Sequence, residues 1–218
     1  MSSFPERNPM VVFTKYSPYL VVDVTDCKDS DGKPVAMQPV TSLCRCGQSS
    51  SKPYCDETHS RIGFVGEKGK LRNKDRMRDM VGKEITIHDN RGVCSHDESC
   101  VHGSPTVFRD DKTPWIDPNG ANPEEVMATI DKCPSGALAY TYRGKYGPEP
   151  TREAAIRIVK NGPYLLEGGI QIKDDMGSVP QSPEHCALCR CGQARNKPFC
   201  DGSHDDAPFE GDSPLSRR

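Results

Sequence analysis

Three cysteines and one histidine occur with the same spacing at two places in the chain. The two sets are Cys44, Cys46, Cys55 and His59, and Cys189, Cys191, Cys200 and His204. Thiolate and imidazole groups ligate soft or borderline metals. Four such groups within 16 residues can surround one centre without help from distant segments. The sequence therefore predicts two metal centres, each built around either zinc or an iron–sulfur cluster.

The close spacing of the first two cysteines bears on this choice. Structural zinc sites usually pair cysteines separated by two to four residues, because such a turn lets both sulfurs reach one tetrahedral ion. Only one residue separates Cys44 from Cys46. In a [2Fe-2S] cluster this pair can ligate one iron while Cys55 and His59 ligate the other. The spacing favours the cluster and leaves zinc as the alternative.

The third cysteine and the histidine of each set are four residues apart. This spacing predicts that Cys55 and His59 lie on one face of a short helix. Asp56 follows the cysteine, and we expect its carboxylate to cap the first amides of that helix. The second set has Asp201 at the corresponding position.

The composition indicates small domains with a second source of stability. The 218 residues are 34% hydrophobic and include 19 glycines and 19 prolines, so the chain is rich in loops and poor in core-forming residues. Small domains of this kind are usually stapled by disulfides or metals. Eleven cysteines, an odd number, fit a complete disulfide framework poorly.

The sequence also indicates a compartment and excludes several partners. No basic stretch followed by an apolar run marks a secretory signal, and no apolar run approaches the roughly 20 residues that span a bilayer. We therefore expect a bacterial cytoplasmic protein, whose clustered cysteines bind metal. A net charge of −2 predicts no attraction to nucleic acid or membranes. Because catalytic and nucleotide-binding motifs are missing, we expect no enzymatic activity.

The two ligand sets lie in two copies of one longer segment. Each residue of the second copy follows its counterpart by 145 positions without a gap, from Pro18 and Pro163 to Phe64 and Phe209. Each copy has a short β-type run, a glycine-containing turn and then the cysteine loop. Units this small bury little apolar surface alone, so we expect an intramolecular pseudo-dimer rather than independent beads.

A segment of α/β character separates the two copies. The chain thus divides into repeat one (residues 1–81), the middle module (82–147) and repeat two (148–218). Residues 84–88 and 137–142 alternate between polar and apolar side chains and predict strands. Asn122 followed by Pro123 predicts the N-cap and first position of a helix.

The middle module has cysteines of its own, Cys94, Cys100 and Cys133, the last followed by a proline. This is the sparse form of a bacterial ferredoxin site. Three cysteines can hold a [3Fe-4S] cluster, or a [4Fe-4S] cluster with one non-cysteine ligand, and Asp97 lies midway between the first two. A cluster-bearing module and an empty structural remnant both remain open.

The stretches CRCGQSSSKPYCDETH and CRCGQARNKPFCDGSH resemble the CDGSH iron–sulfur domain, also called the NEET family. The resemblance implies two intertwined units with one [2Fe-2S] cluster each, the close cysteine pair on the inner iron and the Cys–His pair on the outer one. Glu57 stands where the family has Gly, and Ala194 where it has Ser or Thr, so we expect the clusters to differ in stability or potential. The stretch CSHDESC resembles the divergent ferredoxin-like modules that are fused to CDGSH domains.

Together these features predict an α+β protein: two small β-rich CDGSH units packed as a pseudo-dimer, plus a ferredoxin-like α/β insert. We expect two [2Fe-2S] clusters, and a [3Fe-4S] or [4Fe-4S] cluster if the middle module is loaded, used for one-electron transfer or redox sensing. One alternative is pH-labile cluster storage and transfer, because protonation of an imidazole ligand, with an ordinary pKa near about 6.5, competes with its iron bond. A structural zinc protein is another.

The expected partner is a redox protein or an apo-acceptor protein, and the chain is expected to be a monomer. The polar tail, residues 212–218, is expected to lack fixed structure.

Overall fold

The computed structural model describes residues 8–70, 72–207 and 209–211, so the expectation for the tail lies outside the described residues. The strands are β1 (Met10–Phe13), β2 (Tyr19–Val22), β3 (Asp26–Lys28), β4 (Val40–Leu43), β5 (Arg78–Val81), β6 (Ile85–Asp89), β7 (Leu138–Tyr142), β8 (Lys145–Tyr146), β9 (Ala155–Ile158), β10 (Tyr164–Glu167), β11 (Gln171–Asp174) and β12 (Cys186–Leu188). The helices are α1 (Thr58–Arg61), α2 (Ser99–Gly103), α3 (Pro123–Ile130) and α4 (Ser203–Asp206), with a 3-10 turn at Arg91–Val93.

The two repeats exchange a strand. One sheet has the order β11-β1-β2-β4 and the second has the equivalent order β3-β9-β10-β12. Strand β1 pairs in parallel with β11 of repeat two, with Met10 opposite Gln171. Strand β3 pairs in the same way with β9, with Asp26 opposite Ala155. Each sheet therefore contains three strands from one repeat and one from the other, which confirms the predicted pseudo-dimer.

The two exchanged sheets share one apolar core. Val11 and Leu43 of the first sheet and Ile156 and Leu188 of the second line one narrow space and are almost completely buried. Burying such side chains stabilises the fold by about 1.5–3 kcal/mol each. Since every sheet includes a strand of the other repeat, this core depends on both copies. Cys27 in β3 is 2% exposed and belongs to the same core, as a small apolar side chain would.

The middle module forms its own antiparallel sheet in the order β5-β6-β7-β8. Strands β6 and β7 confirm the predicted alternation, and α3 packs against β7. The Asn122 side chain accepts a hydrogen bond of 2.9 Å from the Glu125 amide, which confirms the predicted N-cap. Strand β5 belongs to this sheet although it ends at Val81, so the sheet begins a few residues before residue 82, where the sequence predicted the module to start.

Among the described residues, no helix is both long and apolar enough to cross a membrane.

Candidate metal centres

Each cysteine loop is a hairpin closed by backbone hydrogen bonds. In repeat one the Cys44 amide donates to Pro53 O at 2.8 Å, and the Cys55 amide donates to Ser42 O at 2.9 Å. The corresponding bonds of the Cys189 and Cys200 amides are both 2.8 Å long. These bonds fold the loop back on β4 or β12. The third cysteine of each set is thereby brought beside the first two.

The ligand atoms form two close pairs in each repeat. The Sγ atoms of the Cys-x-Cys pair lie 3.8 Å apart in both repeats. The distance from Cys55 Sγ to His59 Nδ1 is 3.3 Å, and its counterpart from Cys200 to His204 is 3.4 Å. Two thiolates on one tetrahedral metal, with bonds of about 2.3 Å, would lie about 3.8 Å apart. Each pair thus has the spacing of two ligands on one metal ion.

The two pairs of a set are not positioned around a common ion. In the part of the chain that the structure describes, only one group of three or more His, Cys, Asp or Glu residues has its ligand atoms all within 4.8 Å of one another, and it consists of Glu149, Glu184 and His185. All eight predicted ligands are described residues, so no three atoms of either set are that close. A mononuclear zinc site would require such closeness. The two-pair arrangement fits a binuclear cluster.

The close cysteine pairs share a proton in the metal-free protein. A hydrogen bond from the Cys46 thiol lowers the pKa of Cys44 to about 6 and raises that of Cys46. In repeat two the same bond lowers the pKa of Cys191 and raises that of Cys189. One thiolate of each pair is therefore favoured before metal arrives, and thiolates are the metal-binding form of cysteine.

The prediction that Cys55 lies on the helix with His59 was wrong. Helix α1 begins at Thr58, three residues after the cysteine, and α4 begins at the same distance after Cys200. A residue with positive φ, Glu57 or its counterpart Gly202, precedes each helix and turns the chain. The left-handed conformation forces the helix to start late. The aspartate contributes as expected, because Asp56 Oδ1 accepts from the Thr58 amide at 3.1 Å, although Glu57 is the N-cap residue.

The three middle cysteines line one pocket. Cys94 follows the 3-10 turn, Cys100 lies in α2, and Cys133 lies just after α3. The same pocket is lined by two carboxylates, Asp89 and Asp97. Asp97 accepts a hydrogen bond from Ser99. Because Asp97 is exposed, it lies at the solvent-facing opening of this pocket.

Asp89 is the second carboxylate of this pocket, and it is 1% exposed. Neither of its oxygens has a hydrogen-bond partner of normal geometry in the structure as described. Burial raises the pKa of Asp89 to about 6, against the opposing effects of Arg91, Trp115 and Arg78. A buried carboxylate without a partner is costly. Ligation to an iron ion held among the three thiols would give this carboxylate a partner, so the residues present fit such a group.

Comparison with known proteins agrees with this arrangement. The family described as "Iron-binding zinc finger CDGSH type" matches residues 16–60 and 161–205. The family described as "Divergent 4Fe-4S mono-cluster" matches residues 80–143, between the two. The chain therefore contains two domains of the CDGSH iron-binding family. Its two CDGSH units flank a divergent 4Fe-4S module, and the protein is an iron–sulfur protein.

A curated relative covers a shorter stretch. YjdI of Escherichia coli strain K12, an uncharacterized protein, is 36% identical over 63 residues, which are 29% of this chain and 83% of YjdI. YjdI of Escherichia coli O157:H7 matches with the same figures. No solved structure matches the chain.

Each CDGSH unit supports the cluster loop of the other. The hydroxyl of Tyr19, in repeat one, donates to Cys189 O at 3.1 Å and lies 3.2 Å from Pro198 O, both in repeat two. Tyr164 makes the mirror-image contacts, 3.0 Å from Cys44 O and 3.2 Å from Pro53 O. Both tyrosines are buried. The tyrosines recur at the same position in both copies, but which loop they hold could not be read from the sequence.

Two buried arginines are further residues that the sequence analysis missed. Arg45 stands between the two cysteines of its pair and is 1% exposed. Its guanidinium donates to Thr14 O at 2.7 Å and Gly66 O at 3.0 Å, and lies 4.5 Å from the centre of the Phe13 ring. Arg190 has the equivalent position in the second unit. In each unit the residue between the two close cysteines is thus held by backbone carbonyls through its buried guanidinium, which fixes the backbone that carries the two thiols.

The sequence departures of the two CDGSH units have visible effects. Ser49 donates to Tyr54 O at 2.7 Å and so braces the first loop, whereas Ala194 at the same place cannot. Glu57 has a φ of 65°, a conformation that side chains other than glycine rarely adopt. The two loops therefore differ in their hydrogen bonding, while Glu57 adopts the same left-handed backbone as Gly202. The expected difference in cluster stability or potential stays a prediction.

The two CDGSH units also differ in burial. Cys200 is 2% exposed, whereas Cys55 is only partly buried. The reason is that residues 66–70, 72–77 and 90–96 pack on the second unit. The Gly69 amide donates to Arg195 O at 2.6 Å, and Asn196 Nδ2 donates to Gly92 O at 2.5 Å. Repeat one has no such cover in the described part of the chain.

Proposed function

We propose that this protein is a one-electron carrier or redox sensor with a [2Fe-2S] cluster in each CDGSH unit. In repeat one, Cys44 and Cys46 would ligate one iron, and Cys55 and His59 the other. Cys189, Cys191, Cys200 and His204 would do the same in repeat two. When bound, the cluster supplies reversible uptake and release of single electrons. We propose no independent enzymatic activity for the chain.

The observation that carries this proposal is the arrangement of each ligand set as two pairs. Separations of 3.8 Å and 3.3–3.4 Å within the pairs, and the lack of any three set atoms within 4.8 Å, suit two metal ions rather than one. This argues against structural zinc. It supports the [2Fe-2S] assignment because the two irons of such a cluster take separate ligand pairs, and histidine can replace cysteine at one of them.

The chain's own residues hold the site in a defined state. Buried Arg45 and Arg190 anchor the backbone between the two close cysteines by donating to backbone carbonyls. The hydroxyls of Tyr19 and Tyr164 fix the carbonyls of the first cysteine in the opposite loop. Preorganised polar groups of this kind tune the potential and stability of a bound metal centre.

For the middle module we propose a third cluster, a [3Fe-4S] or a [4Fe-4S] cluster, held by Cys94, Cys100 and Cys133. Support comes from the single pocket that all three line and from the unpartnered Asp89 in its wall. A [4Fe-4S] cluster needs one more ligand, and the carboxylates of Asp89 and Asp97 are the candidates. Asp89 is favoured because it is buried, and the effect of burial exceeds the opposing effects of Arg91, Trp115 and Arg78.

A second candidate function is the storage and transfer of clusters to apo-proteins. The partial exposure of Cys55 and His59 favours it, since an acceptor protein would have to reach the ligands that it replaces. The partner would be a redox protein in the first case and an apo-acceptor in the second. We propose that the chain works as a monomer without nucleic acid or membrane partners.

Metal analysis tests these proposals. Iron, acid-labile sulfide and zinc are measured per chain, with a visible spectrum and low-temperature EPR before and after dithionite. Two [2Fe-2S] clusters alone predict about four iron atoms and a signal that appears on reduction, while a loaded middle module raises the count to about seven or eight. Colourless protein containing zinc would overturn the proposal. Repeated redox cycling without iron loss supports the carrier, and iron transfer to an apo-ferredoxin supports the donor.

A further inference from the structure

The cysteine loop of the middle module lies directly against the cluster loop of repeat two. His96 is two residues after Cys94, and Gly202 stands between Cys200 and His204. A Cβ atom added to Gly202 would lie only 2.8 Å from Cγ of the His96 ring. The ring therefore packs on the backbone of Gly202, and the two ligand loops touch without any residue between them.

Two further contacts fix this arrangement. His185 of repeat two donates from Nε2 to the backbone oxygen of Cys133 at 2.9 Å. Asn196 donates to Gly92 O at 2.5 Å, just before Cys94. Both His185 and Asn196 are well buried. The positions of two of the three middle cysteines thus depend on repeat two.

The equivalent face of repeat one is open. Glu57 takes the place of Gly202 and is exposed, and Val40 takes the place of His185 and is 56% exposed. A glutamate side chain at this position would occupy the space that the His96 ring needs. The two units therefore differ at the position where the middle module packs: Gly202 leaves room for the His96 ring in repeat two, and Glu57 does not in repeat one.

The two CDGSH loops also meet each other. Gly47 packs on the backbone of Cys191, and Gly192 packs on the backbone of Cys46, with no room for a side chain at either glycine. The close cysteine pairs of the two units are consequently back to back. Together with the His96–Gly202 contact, this places the three ligand sets in the order middle module, repeat two, repeat one.

We propose that the His96–Gly202 contact is the path by which electrons would pass between a cluster held by the middle cysteines and one held by the repeat-two ligands, and that the open repeat one would be the side at which an external one-electron carrier exchanges electrons. In each step one cluster would be oxidised by one electron and its neighbour reduced by one, and no bond would be made or broken. This inference rests on the proposed function, because it requires all three clusters.

The first experiment measures which clusters are magnetic neighbours in the full-length, iron-loaded protein. EPR spectra are recorded after full reduction with dithionite for the wild type, for Cys55→Ser, which removes the repeat-one cluster, and for Cys200→Ser, which removes the repeat-two cluster. We expect spin–spin broadening of the middle-cluster signal to persist in Cys55→Ser and to be lost in Cys200→Ser. The reverse pattern would overturn the inference.

The second experiment perturbs the contact itself. Gly202→Glu copies repeat one, and Glu57→Gly, which copies repeat two, is its matched control. After rapid mixing with substoichiometric dithionite, we expect slower electron equilibration between the middle and repeat-two clusters in Gly202→Glu and an unchanged rate in Glu57→Gly. If Gly202→Glu loses iron, His96→Ala removes the ring without crowding the loop and is expected to slow the same step.

The outcomes separate this inference from the proposed function. A count of about four iron atoms would remove the third cluster and this inference together. A count of about seven or eight, with the broadening absent in the wild type or with equilibration unaffected in both Gly202→Glu and His96→Ala, would overturn the inference alone.

Discussion

Removing the Tyr19 hydroxyl should weaken the metal site of the opposite repeat. Tyr19 lies in β2 of repeat one, is 1% exposed, and its hydroxyl reaches Cys189 O and Pro198 O in repeat two. The Tyr19→Phe substitution keeps the ring, which packs edge-on against Phe13 and Tyr164 at centroid distances of 5.1 and 6.1 Å. The change is therefore confined to one buried donor.

The expected size follows from these contacts. The hydroxyl has one proton, which two carbonyl oxygens share, and Pro198 O keeps its 2.8 Å bond from the Cys189 amide. Losing one buried hydrogen bond of this kind costs about 1–2 kcal/mol. If this cost lowers the activation free energy for release of the cluster from the repeat-two loop, that release should become about 5- to 30-fold faster.

The assay needs one cluster at a time. Cys55→Ser leaves the repeat-two cluster and Cys200→Ser leaves the repeat-one cluster, and visible absorbance follows the loss of each to an iron chelator. Tyr19→Phe should accelerate loss mainly in the Cys55→Ser background. Tyr164→Phe, whose hydroxyl reaches Cys44 O and Pro53 O, is the matched control and should act in the Cys200→Ser background. If each substitution acted on the cluster of its own repeat, the reasoning would be refuted.

Three further predictions concern the ligands and the middle pocket. His59→Cys and His204→Cys should each lower the reduction potential of their own cluster, because an anionic thiolate replaces a neutral imidazole. Each should also reduce the extra cluster loss at about pH 5.5 relative to about pH 8, because a proton no longer competes for an imidazole ligand. Equal loss at both pH values in the wild type would contradict this. Asp89 has its pKa raised by burial from 3.8 to about 6, so the folded metal-free protein resists its ionisation. Denaturant unfolding should therefore show that the stability of the wild type relative to Asp89→Asn falls by about 3 kcal/mol as pH rises from about 3 to about 7, while the exposed control Asp97→Asn keeps the wild-type pH dependence. Finally, redox titration of Cys55→Ser and Cys200→Ser should give the repeat-two cluster the lower midpoint potential, because reduction adds a negative charge at the more buried site; the opposite order would show that burial does not set the difference.

The two ligand sets could be proposed from the spacing of cysteine and histidine alone. The pseudo-dimer could be predicted from the internal repeat and the low content of apolar residues. A gapless repeat around four ligands requires two similar units, and little apolar surface requires them to pack. The exchange of β3 and β11 between sheets could not be predicted, since a strand pattern specifies which side chains are buried and not which distant strand is the neighbour. Strands β1 and β9 precede the most similar part of the repeat, so the repeat did not indicate them as strands.

Asp89 shows a signal that could have been used. Ile85, Ile87 and Asp89 lie on one face of β6, so strict alternation directs a carboxylate toward the core. Such a local conflict between polarity and position is typical of functional sites. The helix near His59 failed for the opposite reason, because the backbone conformation of Glu57 overrides the four-residue spacing.

The difference between the two CDGSH units arises from what packs on them rather than from their ligands. Both units have the same four ligands, the same hairpin bonds and the same buried arginine and tyrosine, so they would be nearly equivalent in isolation. The middle module and the segment that leads into it break this equivalence, because they cover the unit that has glycine at position 202 and leave the unit with Glu57 open. Burial disfavours the charge that reduction adds, so an electron that reaches the covered cluster is expected to move on to the open one. We therefore expect the inserted module to set the direction of electron transfer between two sites that the repeat alone would leave symmetric.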